Sequence, residues 1–403
     1  MLHKNYCTNG LRIILESIPT VRSVTIGIWV KTGSRDETSE NNGISHFLEH
    51  MFFKGTKKRT AKDIAEAFDA IGGQINAFTS KEYTCYYAKV LDTHKNTAIE
   101  LLSDMFFHST FDEVELEKEK NVVLEEIRMA EDTPDDIVHD LLAEASYGKH
   151  ALSYPILGKE DTIQHFTREE LIHYKHAHYT PNNIVISIAG NVEASFINEV
   201  EEQFNQFDNE NCSKILVEPQ FEPIELMRQK QTEQAHLCIG YQGLPIEDKD
   251  IFSLIIINNV LGGSMSSRLF QEIREQRGLA YSVFSYHSSF VDNGLLTIYA
   301  GTGKQHLSTL QETIQQTIAT FVSNGLTEKE FVNSKEQLKG NLLLGLESTS
   351  SRMSRNGKNE LMLGKHRSLD ELSEEIDQVS KESTNHVLHQ VFNHSYSTAL
   401  ICP

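Results

Sequence analysis

The pentad His46-Phe47-Leu48-Glu49-His50 places three groups able to handle a metal and a water molecule within five residues. On an α-helix His46 and His50 stand at i and i+4, stacked on one face with β-carbons roughly 5–6 Å apart. Imidazoles so placed can close together on one Zn2+ at about 2.0–2.1 Å each. Glu49 follows His46 by three residues, so its carboxylate flanks the pair and can hold a water. The order inverts the His-Glu-x-x-His zinc motif. Histidine is common in this chain, 18 of 403 residues, and such a pentad also arises by chance as a surface pair or around one core histidine. Its neighbours favour a metal. Phe47, Leu48, Met51, Phe52 and Phe53 interleave with the histidines, so the helix is largely buried. Two buried imidazoles beside a carboxylate need a partner that compensates their burial.

A helix over Ile44–Phe53 must position these groups, with Asn41-Asn42-Gly43 as its start and Gly55-Thr56 as its stop. A catalytic zinc takes three protein ligands and keeps one position for water. Glu113–Asp132 is a helix candidate, with Val114, Leu116, Val122, Val123, Ile127 and Met129 in a mixed but helix-compatible pattern. Within it Glu119 and Glu126 are two turns apart and share a face, whereas Glu113, Glu115 and Glu117 read as a solvated face. Spacing alone does not choose the third ligand.

The pentad, Glu126 at 76 positions after His50, and Glu119 seven before Glu126 together resemble the pitrilysin and mitochondrial-processing-peptidase family. So do the words Asn42-Gly43-Ile44-Ser45-His46-Phe47-Leu48-Glu49-His50-Met51 and Phe53-Lys54-Gly55-Thr56, which look like its small bacterial members. The resemblance runs across nearly all 403 residues. It implies an inverzincin: an α+β fold of two homologous halves, each a mostly antiparallel sheet covered by helices. It implies one Zn2+ per chain on His46, His50 and Glu126, with Glu119 orienting one of the two histidines. Glu49 would take a proton from the attacking water and pass it to the leaving amine. The strand after Gly73 matches the family's peptide-binding strand, with main-chain bonds from Asn76, Ala77 and Thr79 to an extended peptide. Phe53 and Phe78 resemble its apolar pocket beyond the cleaved bond. Arg274 and Tyr281 are spaced like the pair brought onto the substrate and the tetrahedral intermediate, with Arg277 as a competing cation. Asp136 and Asp140, four apart, match acids that hold an arginine near the cleaved bond; the ordinary alternative is a pair of acids favoured near a helix start. Chains of this length in the family pair, which implies a homodimer closing like a clamshell.

The composition is that of a soluble globular protein. With 403 residues, 39% hydrophobic and 23% charged, the chain is too long for one ordinary core. No apolar run approaches a membrane span, and Met1-Leu2-His3-Lys4-Asn5-Tyr6 has no apolar stretch of a secretory signal. Cys7, Cys85, Cys212, Cys238 and Cys402 are scattered and form no Cys-x-x-Cys pair, which suggests reduced thiols and a cytoplasmic location. A net charge of −20 disfavours nucleic acid and favours basic peptide substrates.

The chain divides by its rhythm into an N-terminal zinc-binding domain over 1–207, a linker over 208–232 and a C-terminal domain over 233–403 that repeats the first without the metal. Strands are expected at Leu11–Leu15, Val24–Val30, Ile75–Ser80, Tyr83–Val90 and Asn183–Gly190, with helices from Thr60 to Gly72, at Lys95–Phe107, and after Thr133-Pro134. After the linker, His236–Tyr241 echoes Ile26-Gly27-Ile28, Phe252–Leu261 stands where the metal helix stood, and Leu279–Phe284 stands where Gln74–Thr79 stood. Counted from Gly27 and Gly240, the slots of His46, Glu49 and His50 become Asn259, Gly262 and Gly263. The run Leu261-Gly262-Gly263-Ser264-Met265-Ser266-Ser267 looks like a shortened version of the family's glycine-rich loop. The function expected is a zinc metalloendopeptidase acting on unfolded, basic peptides in a closing chamber. The alternatives are an inactive relative that binds peptides or assembles complexes, and a structural zinc protein, which would want four ligands.

Overall fold

The computed structural model describes residues 2–207 and 216–403. Cys212 and the 208–215 part of the expected linker lie outside them. The first half runs β1 (Leu2–Tyr6), β2 (Arg12–Ser17), β3 (Ser23–Val30), α1 (Ile44–Met51), α2 (Ala61–Ala70), β4 (Gln74–Thr79), β5 (Thr84–Leu91), α3 (Lys95–His108), α4 (Glu113–Glu131), α5 (Pro134–Tyr147), α6 (Glu160–His165), α7 (Arg168–His178), β6 (Ile184–Gly190) and α8 (Phe196–Gln203). The second runs β7 (Glu225–Gln229), β8 (Ala235–Gln242), α9 (Ile251–Leu261), β9 (Ser282–Ser289), β10 (Gly294–Thr302), α10 (Leu307–Asn324), α11 (Glu328–Gly345), α12 (Thr349–Met362), α13 (Leu369–Gln378), α14 (Lys381–Phe392) and β11 (Ser397–Cys402).

The fold is α+β, and its two sheets follow one plan. The first has the order β1-β2-β6-β3-β5-β4 and the second β7-β11-β8-β10-β9. In each, one parallel contact, β2 with β6 or β11 with β7, is followed by antiparallel neighbours. Without β1 the orders match strand for strand, and the halves are homologous. The additional strand β1 forms on the polar segment Leu2–Tyr6, paired with β2. Buried β-branched residues such as Val24, Ile26, Ile28 and Val30 fill the core side of the central strands.

The chain forms two compact units, and neither is continuous. One comprises Met1–Arg128, Tyr154–Ile215 and Gly345–His366; the other comprises Met129–Ser153, Leu216–Leu344 and Arg367–Pro403. These units depart from the continuous halves 1–207 and 233–403 at two helices, α5 and α12. Helix α5 lies on β8 and β11, and α12 lies on β6 and β3. The glycines beneath them correspond. A Cβ on Gly27 would come 2.3 Å from Met353 Sδ of α12, and one on Gly240 would come 3.2 Å from Leu142 of α5. Each half therefore gives its equivalent helix to the other unit.

Candidate metal centre

Helix α1 starts at Gly43, whose φ of +98° is costly for other residues and whose Cβ would meet Gly158 Cα at 2.7 Å. At its start the Asn41 main-chain carbonyl accepts from Ile44 N at 3.0 Å, and the side chain that takes neighbouring N–H groups is that of Glu37. This buried carboxylate accepts from Gly43 N at 2.7 Å, Ser45 N at 2.9 Å and Asn42 Nδ2 at 2.8 Å. Burial raises its pKa against the pull of those bonds. The helix ends at Met51, so Phe52 and Phe53 belong to the following turn.

His46, His50 and Glu126 form the one cluster of metal-ligating groups among the described residues. His46 Nε2 and His50 Nε2 are 3.2 Å apart, and Glu126 Oε2 lies 3.7 and 3.6 Å from them. Three atoms with those separations lie on a circle of radius about 2.0 Å, which suits an ion bound at 2.0–2.1 Å by two nitrogens and a carboxylate oxygen. The His46 and His50 side chains are 12% and 18% exposed, and Glu126 is 37% exposed, so the triad opens to one side. Burial, then the neighbouring His50, lowers the His46 pKa to about 3. His46 is thus the neutral imidazole that a metal requires. Its Nδ1 is buried without a hydrogen-bond partner. The donor set and its spacing fit zinc.

Glu119 serves His50, an assignment the sequence left open. Its Oε1 lies 2.7 Å from His50 Nδ1, which leaves Nε2 facing the other ligands. Its Oε2 is 2.5 Å from Lys54 Nζ. Burial pushes the Glu119 carboxyl up, but the bonds to His50 and Lys54 prevail and lower it. Burial likewise pulls His50 down, and the bond to Glu119 with the surrounding carboxylates raises it overall. Lys54 is a site residue that sequence reasoning missed; its neighbourhood in Phe53-Lys54-Gly55-Thr56 was noticed, but not its charge.

Glu49 is buried and points to β4, where Thr79 Oγ1 donates to its Oε2 at 2.5 Å. Burial raises its pKa, and the Thr79 bond opposes the rise. Strand β4 is the edge of its sheet. Asn76 is exposed, and its side-chain oxygen caps the Ala77 N–H at 2.8 Å. Phe78 lies on the opposite face of β4 from Thr79, edge-on to Trp29 with ring centroids 5.6 Å apart. Phe53 is half-buried against the core beyond α1.

The remaining candidates lie in the second unit. Residues Phe270–Gln276 form a π-helix, closed by a bond from Leu279 N to Ile273 O. The Arg274 guanidinium lies between two rings, 4.5 Å from Tyr281 and 4.8 Å from Phe270. Each arginine also has an acidic neighbour, Arg274 with Glu275 at 3.8 Å and Arg277 with Glu272 at 3.7 Å, so the two rings are what set Arg274 apart. Asp136 and Asp140 are exposed on α5, which belongs to the second compact unit.

Residues 12–160 match the family model of insulinase, peptidase family M16, and residues 165–338 match that of the M16 inactive domain. The chain is 60% identical to the uncharacterized zinc protease YmxG of Bacillus subtilis, covering 100% of this chain and 98% of that one. It is 42% identical to an uncharacterized zinc protease of Streptomyces coelicolor, over 98% of this chain and 88% of that one. A protease from Helicobacter pylori shares the fold with a TM-score of 0.92 at 22% identity, covering 100% of this chain and 99% of that one. No helix among the described residues is long and apolar enough to cross a membrane.

Proposed function

The chain belongs to peptidase family M16, the insulinase family, and we propose that it is a zinc metalloendopeptidase cleaving unfolded, basic peptides. The observation that carries this reading is the triangle of His46, His50 and Glu126 with a buried carboxylate, Glu49, beside it. Zinc held there supplies a Lewis acid that polarises the scissile carbonyl and makes water acidic enough to attack near neutral pH. Glu49 accepts the proton of the attacking water and hands it to the leaving nitrogen. Glu119 keeps the His50 ring turned with Nε2 inward, and Lys54 keeps Glu119 ionised. The outer edge of β4 takes the peptide as an added strand, and Asn76 gives up its hold on Ala77 N–H when it docks. Arg274, held by Tyr281 and Phe270, is the cation for the developing oxyanion. The protein works in the cytoplasm as a homodimer with one zinc per chain.

The test combines metal removal with a single substitution. Chelation should abolish cleavage of a mixed peptide library, and Zn2+ should restore it. Glu49→Gln should keep its zinc and lose about 10²–10⁴-fold in kcat. A Glu49→Gln protein with normal zinc and normal turnover would exclude Glu49 as the base. A protein that holds zinc yet cleaves no member of the library would favour the peptide-binding alternative.

A further inference from the structure

We infer that Thr79 is a positioning residue that ties the docked peptide to the orientation of Glu49, an inference that rests on reading Glu49 as the base. Two independent contacts converge on this one residue. The first is made by its side chain. Thr79 Oγ1 is 2.5 Å from Glu49 Oε2. A neighbouring hydroxyl, Thr84 Oγ1, stands 3.5 Å from Thr79 Oγ1 and gives its single proton to Thr32 O at 2.8 Å. The carboxylate can only accept and Thr84 lies a full ångström farther away, so Thr79's proton goes to Glu49. With Oε2 held, rotation of the carboxylate about its last bond is stopped, and Oε1 is the oxygen left to meet a water. A threonine suits the task because its branched Cβ restricts χ1.

The second contact is made by the main chain. The turn bond from Ser80 N to Tyr83 O, at 2.8 Å, fixes the phase of the β4–β5 ladder. Hydrogen-bonded and non-hydrogen-bonded pairs alternate along antiparallel strands. From Ser80 the bonded pairs are Phe78 with Cys85 and Asn76 with Tyr87, and the intervening residues Ile75, Ala77 and Thr79 aim N–H and C=O away from β5. The capping of Ala77 N–H by the Asn76 side chain agrees with that direction. Among the described residues no further strand lies beyond β4. A peptide paired there would bond to the backbone of Thr79 while the hydroxyl of the same residue holds the base. The position of the scissile bond and the aim of the base are then set by one stiff residue.

An ordinary alternative exists: a half-buried hydroxyl donating to the nearest acceptor, with no consequence for turnover. Kinetics of the full-length zinc-loaded protein on a quenched-fluorescence peptide separates the two. Thr79→Val, which keeps the branched shape and removes the donor, should lower kcat by about 10- to 100-fold, the cost of a misplaced reacting group. KM and zinc content should stay within about twofold of wild type, and Thr79→Ser should restore most of the lost kcat. Wild-type turnover in Thr79→Val would overturn the inference. So would a change confined to KM, or a Thr79→Ser protein as slow as Thr79→Val, since packing and not the donor would then matter. Should the valine be rejected by the carboxylate, Thr79→Ala removes the clash and should show the same loss in kcat. If neither variant folds and holds zinc, Thr79 supports the fold and the inference fails. Glu49→Gln run in parallel keeps the outcomes distinct: normal turnover there removes the base itself, whatever Thr79 does.

Discussion

The two compact units share a strand order, yet the contacts at corresponding helices differ in kind. In the first, His50 of α1 meets Glu119 of α4 at 2.7 Å. In the second, Asn259 of α9 donates to Ser334 Oγ of α11 at 3.1 Å and to Gln337 Oε1 at 3.0 Å. Glu113 and Glu328 both open their helices, and from those starts Glu119 corresponds to Ser334 and Glu126 to Asn341. The cross-helix hydrogen bond is present in both units while its charges are present in one. An amide bonded to a hydroxyl and a second amide satisfies itself. Two imidazoles and two carboxylates do not, and an ion completes them. The equivalence also moves the slots reached by counting from Gly27 and Gly240: by contact, Asn259 takes the place of His50, one turn from the place of His46. The run Ile255–Gly263 contains no metal ligand in either register.

Removing a charge from one unit and its neutral counterpart from the other tests whether the charges are what hold the metal. Glu126→Gln should release zinc, and Glu119→Gln should weaken its binding about 10–100-fold, as expected for a partner behind a ligand. Asn341→Ala and Ser334→Ala should leave zinc affinity unchanged in the same chelator competition. An unchanged affinity in Glu126→Gln would reject Glu126 as a ligand.

A smaller effect is expected from the cation of the second unit. Arg274→Ala should lower kcat by about 10²–10³-fold, in the range for removing a donor to an oxyanion, with zinc content unaltered. Arg277→Ala should be nearly silent, since the stacking between Tyr281 and Phe270 that fixes a guanidinium belongs to Arg274. The reverse result would exchange the two assignments. Mixing Arg274→Ala with Glu49→Gln and regaining activity after subunit exchange would show that the two units cooperate across a dimer.

Specificity comes next in size. Asp136→Asn with Asp140→Asn should abolish, by about tenfold in kcat/KM, a preference for peptides with arginine near the cleaved bond, and should spare neutral peptides. Equal losses on both peptide classes would mean that the two acids only favour the start of α5.

Legibility followed the range of the interactions. The pentad's helix, the capped start of α2 at Thr60 and the hairpin of β4 and β5 depend on neighbours within a few residues. They lie within a residue or two of where periodicity puts them, apart from the early end of α1 at Met51. Contacts between distant segments were not readable. Glu37 caps α1 from six residues before Gly43, Thr79 reaches Glu49 across 30 positions, and Lys54 meets Glu119 only because α4 returns to α1. The sequence pattern places the start of β9 three residues early. The strand begins at Ser282, and Leu279–Tyr281 belong to the connection that follows the π-helix at Phe270–Gln276. The transfer of α5 and α12 between units has no local signal beyond two glycines, and their meaning appears only when Met353 and Leu142 are seen above them.

The close packing of the exchanged helix α12 on β3 sets the sign of a glycine-to-alanine change. Alanine in place of glycine inside an exposed helix gains about 0.5–1 kcal/mol from the entropy of the unfolded chain. Gly340, inside α11, has nothing within 4 Å of an added Cβ, so Gly340→Ala should raise the melting temperature. Gly357, inside α12, faces Trp29, and an added Cβ would lie 2.3 Å from the indole nitrogen and 2.5 Å from Cδ1. That indole is buried and already donates to Met353 Sδ at 3.2 Å, so it has little room to withdraw. Gly357→Ala should therefore destabilise by about 1–3 kcal/mol, the range for overpacking a filled core, and outweigh the helical gain. Thermal unfolding of the two single variants measures the contrast directly. A rise in melting temperature for both would mean that α12 does not rest on β3 as tightly as α5 rests on β8, and the reciprocity of the two units would end there.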